Sequence, residues 1–179
     1  KFFCIDGRFD IICSGSMLGI NYQKIESNSV GYKVDYEMFS LDFEEFLWAK
    51  GYDNAFVEDL LHHMNTLIPF SELQLSVCHT LFLDYCILGG MPAVVREFIT
   101  RNTFEGSLDI QRQLIADYKE DIRKYASGMD QTRILNVFNQ IPPQLAKENK
   151  KFQISKVASG ARFRDYRGCI EWLNDAGII

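Results

Sequence analysis

Ser40-Leu41-Asp42-Phe43-Glu44-Glu45-Phe46-Leu47 is where the hydrophobic period of this chain changes. Phe43, Phe46 and Leu47 recur at the spacing of one helix face, Ser40 or Asp42 can cap the first N–H groups, and Gly51 supplies a stop. Before this stretch the pattern is that of strands. After it the pattern is that of helices.

Downstream, Phe56, Leu60, Leu61 and Met64 predict a helix that stops before Pro69, because the residue ahead of a proline is pushed out of the α region. Ser71 caps a third helix with Leu75, Cys78, Phe82 and Cys86 as its stripe, broken at Gly89-Gly90-Met91-Pro92. Helix termination explains that glycine pair, since no Lys-Ser/Thr follows it as in a phosphate loop. Pro92 suits a helix start, with Val94, Val95, Phe98 and Ile99 inward, and further helices are expected at 107–125, 130–140 and 142–149.

Upstream, Phe9-Asp10-Ile11-Ile12-Cys13 has the pattern of a buried strand ending at the turn Ser14-Gly15-Ser16. Tyr32 to Met38 alternates charged with apolar residues, as a half-buried strand would. The expected fold is therefore mainly α with a small β portion. Three regions follow: 1–40 with the strands, a helical bundle over 41–140, and a distinct module over 141–179.

That last module opens with a short helix from Ser155 to about Gly160 and continues with a second from Arg162 to Asp175, with Tyr166, Cys169, Ile170 and Leu173 inward. Two short helices joined through a glycine are the helix-turn-helix plan, which serves both DNA-binding folds and plain scaffolds. Charge sets it apart. Lys147, Lys150, Lys151, Lys156, Arg162, Arg164 and Arg167 face only Glu148 and Asp165 there, in a chain whose net charge is −5. A basic tail on an acidic body points to an anionic partner, and Lys156, Arg162, Arg164 and Arg167 are its candidate nucleic-acid contacts. The alternative is a solvated face.

The absences narrow the function. No apolar run approaches the roughly 20 residues of a membrane helix, and the amino end does not fit a signal peptide, so the expected location is cytoplasmic. No GxxxxGK[ST], GxGxxG, HExxH or GxSxG occurs. His62, His63 and His79, even with Glu58 beside them, lack metal-site spacing, because adjacent histidines project to different helix faces. Cys4, Cys13, Cys78, Cys86 and Cys169 are scattered among apolar neighbours and are expected to be buried free thiols. Both ends fall inside apolar runs, Lys1-Phe2-Phe3 and Asp175-Ala176-Gly177-Ile178-Ile179, as expected of a piece of a longer protein.

Several ordered motifs carry a resemblance over the whole chain: Ile12-Cys13-Ser14-Gly15-Ser16-Met17-Leu18-Gly19, Ser29-Val30-Gly31-Tyr32-Lys33-Val34, Leu41 to Leu47, Gly89-Gly90-Met91-Pro92-Ala93-Val94-Val95, Ile141 to Phe152, Gly160-Ala161-Arg162 and Trp172 to Gly177. In these the chain resembles a widespread prokaryotic family of AAA-type ATPases with a characteristic carboxyl-terminal region of unknown function. The resemblance implies that 1–40 is the edge of a P-loop α/β core and that 141–179 is a truncated winged helix. It implies that Ser14 or Ser16 is a sensor-1-like residue facing the γ-phosphate of ATP. It further implies ATP and Mg²⁺ in the intact parent, a Walker A and Walker B core upstream, and a nuclease-like region downstream. This sequence has Gly31-Tyr32 where many relatives have Gly-Arg, and Phe39-Ser40 where they have Tyr-Pro. Without the phosphate loop and Walker B acid, the chain by itself is expected neither to hydrolyse ATP nor to hold it, and to expose apolar surface that invites self-association.

Overall fold

The computed structural model describes residues 8–12, 34, 36–126 and 131–179. Among them the chain is mainly α, with seven α-helices and one 3₁₀ turn and no strand. None of these helices is long and apolar enough to cross a membrane. The two strand expectations fare alike where they are described: residues 9–12, 34 and 36–38 are irregular backbone, with Ile12 96% and Met38 93% exposed. Alternation assigns a face, but a strand exists only when another segment pairs with it. The rest of both segments, including Cys13 and Tyr32, lies outside the described residues.

The first compact unit is Tyr36–Ala116. Helix α1, Phe43–Ala49, starts at Asp42: Oδ1 accepts from the Glu45 N–H at 2.8 Å, and Glu45 Oε2 accepts from the Asp42 N–H at 3.0 Å. The cap is thus Asp42 and not Ser40. Helix α2, Asn54–Thr66, is capped by Asp53 and leaves through Leu67 in the left-handed region, two residues before Pro69. Helix α3, Glu72–Leu88, starts at a second capping box of Ser71 and Gln74 and stops at Gly89. Helix α4, Pro92–Arg101, opens on its proline, and α5, Phe104–Tyr125, follows at once.

Phe46, Leu88, Val94, Val95 and Phe98 form one cluster of this unit, and Leu47, Val57 and Leu81 another. Each such side chain contributes about 1.5–3 kcal/mol on leaving water. The inward face of α3 differs from the expected one. Leu81 and Leu88 are buried, while Leu75, Phe82 and Cys86 are exposed and Cys78 is half-buried. Apolar residues surround α3 on all sides, so periodicity could not choose between its faces. Leu61 and Met64 of α2 are likewise exposed, and Val57 is the residue buried there.

Close approaches fix the layout of this unit. Gly90 accepts from the Leu41 N–H at 2.8 Å, and a Cβ on Gly90 would run into the Leu41 carbonyl oxygen. The Tyr85 hydroxyl donates to that same carbonyl at 2.9 Å. Where α5 meets α4, a Cβ on Gly106 would stand 2.5 Å from Glu97 Oε1, and the fully buried Ser107 hydroxyl donates to Val94 O at 3.1 Å. Helix α5 starts at Phe104, three residues before the expected position, which brings Gly106 into the helix.

The second unit contains Asp117–Ile179. Its core is Ile122, Ala126, Ile134, Val137, Val157, Tyr166, Cys169 and Leu173. Helix α6, Gln131–Leu145, runs through Pro142 and Pro143, where two helices at 130–140 and 142–149 were expected. Both prolines lie in its last turn. They remove only two bonds at an end that is about to stop, and Ala146 N–H still donates to Pro142 O at 3.0 Å. The expected helix from Ser155 to Gly160 is a single 3₁₀ turn, Ile154–Lys156, closed by the Val157 N–H on Ile154 O at 2.9 Å. Gly160 then takes φ +72°, and α7 runs over Phe163–Asp175 with Tyr166, Cys169 and Leu173 inward and Ile170 half-buried.

Candidate nucleic-acid interface

The second unit presents its cations on short, well-anchored elements. Lys156 lies in the 3₁₀ turn beside the buried Val157 and is itself exposed. After Gly160 the chain enters α7 at Arg162, the residue in N-cap position, whose side chain makes no capping bond. Arg162, Arg164 and Arg167 are all exposed. Arg164 and Arg167 stand one turn apart on the outer face, because burying Tyr166, Cys169 and Leu173 fixes the rotation of the helix.

The arginines are tethered lightly. Arg164 Nε lies 3.5 Å from Asp165 Oδ1, and Arg167 Nε donates to Glu171 Oε1 at 2.8 Å. That hydrogen bond, and the Glu171 charge after it, raise the Arg167 pKa above its ordinary value. Exposed pairs of this kind contribute little, so a phosphate can displace the carboxylate at small cost.

A further cation stands beside the start of α7. Arg133 of α6 donates from Nη1 to Asp165 O at 3.5 Å, and its guanidinium carbon lies 5.9 Å from the Tyr166 ring centroid. Sequence reasoning missed it, since it is 29 residues before Arg162 and outside the basic run. Phe163, between Arg162 and Arg164, is 63% exposed and is the other residue that the charge pattern did not single out.

Arg162, Arg164 and Arg167 accompany the exposed Phe163 at the start of α7 and Lys156 precedes them in the 3₁₀ turn, a set of cations suited to a polyanion, and none of them is a Ser, Cys, His, Asp or Glu. The residues considered for metal binding are not gathered either: no group of three or more His, Cys, Asp or Glu able to hold an ion occurs among the described residues. His63 instead places Nδ1 2.9 Å from Ile68 O, at the end of α2. Ser14 and Ser16 lie outside the described residues. In the first unit, an open cleft of about 290 Å³ is bordered by Lys50, Tyr52, Thr80 and Asp84, with Lys50 Nζ 3.0 Å from Asp84 Oδ2 and 4.9 Å from the Phe98 ring centroid.

Residues 79–179, from the middle of α3 through α7, match a family described as a domain of unknown function, DUF8612. The chain belongs to this family. The DUF8612 segment thus includes α6, the 3₁₀ turn and α7, with every cation named above except Lys50. No curated protein and no solved structure shows a match to the chain.

Proposed function

We propose that this chain is a helical adaptor segment of an AAA-type ATPase and that its second unit contacts a nucleic-acid backbone. The observation that carries the reading is the exposed set Lys156, Arg162, Arg164 and Arg167 on a short turn and a following helix joined through Gly160. In a helix-turn-helix protein the second helix enters the major groove, and cations around it meet phosphates. ATP and Mg²⁺ would be held by a core outside this chain, with Ser14 or Ser16 facing the γ-phosphate. The apolar side chains exposed on α3, among them Leu75, Phe82, Leu83 and Ile87, suit docking against that core or self-association.

Gel-shift titration of the chain on duplex DNA over a salt series tests the DNA role. Each phosphate contact releases counterions, so the binding constant falls with salt by a slope of about −0.9 per contact. Charge reversal at Arg164 and Arg167 should weaken binding and flatten that slope. Retention unchanged by R164E/R167E at low salt would remove the nucleic-acid role and leave an interaction scaffold, the reading that the exposed face of α3 favours.

A further inference from the structure

We propose that Phe163 reads thymine through its 5-methyl group in the major groove of duplex DNA. This rests on the nucleic-acid reading above and deepens it, because backbone contacts alone would leave the protein with little sequence preference.

The second unit draws other large aromatic side chains toward its core. Tyr166 is buried, and Phe138, Phe152 and Trp172 are packed against the core. Phe163 is not drawn in. It is 63% exposed although it opens the helix whose other apolar residues make that core. Its surroundings are cationic: Arg162 and Arg164 flank it in sequence, and Arg167 is one turn further along the same side. Two acids of this helix, Asp165 and Glu171, are each tied to an arginine, at 3.5 and 2.8 Å, and the third, Asp175, is its last residue.

An exposed apolar ring with arginines before it, after it and one turn on suits a ligand that offers both anionic groups and an apolar feature. Duplex DNA has this form, with phosphates at the groove edges and the thymine 5-methyl as the apolar group on the major-groove floor. Residues at the start of a recognition helix are the ones that reach base edges. Phe163 stands there, with its arginine neighbours placed to meet the backbone.

The test uses two short duplexes of the same alternating sequence, d(A-T) and d(A-U), which differ by the 5-methyl groups. The chain should bind the uracil duplex about three- to fivefold more weakly, the size expected for losing one buried methyl contact. Phe163→Ala should bind both duplexes alike, near the level of the intact chain on d(A-U), and Phe163→Leu should restore part of the difference. R164E/R167E should weaken both duplexes by the same factor. Equal binding of the two duplexes by the intact chain, or a difference that survives in Phe163→Ala, overturns the role of Phe163 while leaving the phosphate contacts standing. Failure to bind either duplex overturns the nucleic-acid reading itself.

Discussion

Gln144 clasps the backbone of Gln153: its side-chain Oε1 accepts from the Gln153 N–H at 2.7 Å, and its Nε2 donates to the Gln153 carbonyl at 3.2 Å. Gln144 is 2% exposed, and its one side chain satisfies both backbone polar groups of a residue nine positions on. It thereby closes the loop that carries Lys147, Lys150 and Lys151 and sets where the 3₁₀ turn begins.

Gln144→Ala should destabilise the second unit by about 1–3 kcal/mol, the cost of leaving buried polar groups unpaired. Gln144→Glu keeps the acceptor, loses the donor and buries a charge, and should be no better at neutral pH. Urea unfolding followed by circular dichroism measures both. A Gln144→Ala midpoint equal to that of the intact chain would mean that water replaces the clasp without loss.

Gly90 is held by contact with another segment. Because its missing Cβ would overlap the Leu41 carbonyl oxygen, Gly90→Ala must push Leu41 away and disturb two hydrogen bonds, from Leu41 N–H to Gly90 O and from the Tyr85 hydroxyl to Leu41 O. The expected loss is about 1–3 kcal/mol, in the range of overpacked sites. Tyr85→Phe, which removes only the hydroxyl, should cost about 1 kcal/mol. Thermal melts of the two variants should therefore rank in that order.

These two sites mark what could be read from residue order alone. Caps at Asp42 and Ser71, the stop at Gly89, the start at Pro92 and the inward residues of α7 are local, and their chemistry is complete within a few neighbouring positions. The burial of Leu81 in place of Leu75 and Phe82 was not legible, because α3 is apolar on every side and its packing partners decide. The same holds for Gln144 with Gln153 and for Arg133 beside Tyr166, which become neighbours only through folding. Arg162, Arg164 and Arg167 were legible because short spacing and charge placed them on one helix.

Thiol reactivity should follow the environments of the described cysteines. Cys86 is exposed, Cys169 is buried and Cys78 is half-buried. Burial, with the Asp59 carboxylate as a lesser cause, pushes the Cys78 pKa above its ordinary value. Less of it is thiolate at any pH below that value, so its alkylation should be slow near pH 8 and should speed up as pH rises. Asp59→Asn removes the lesser cause and should quicken it modestly. Peptide mapping after timed iodoacetamide treatment should show Cys86 labelled before Cys78 and Cys169 last; earlier labelling of Cys169 would mean that the second unit opens readily.

The pairing of Arg167 with Glu171 gives the sharpest test of the basic face, because its two readings forecast different responses. If Arg167 contacts a phosphate, that contact competes with its 2.8 Å bond to Glu171 and brings that carboxylate close to a polyanion. Glu171→Gln removes the repulsion and weakens the competing bond while keeping size and polarity. Affinity for duplex DNA should then rise severalfold at low salt, and the gain should shrink as salt is added, since repulsion between exposed charges is screened over a Debye length of roughly 10 Å at 0.1 M salt. Stability should hardly change, because an exposed ion pair of this kind contributes little. If the arginines are only a solvated face, Glu171→Gln alters neither affinity nor its salt dependence. Fluorescence anisotropy on a labelled duplex at two salt concentrations separates these cases, and an unchanged affinity at both would count against Arg167 as a phosphate contact.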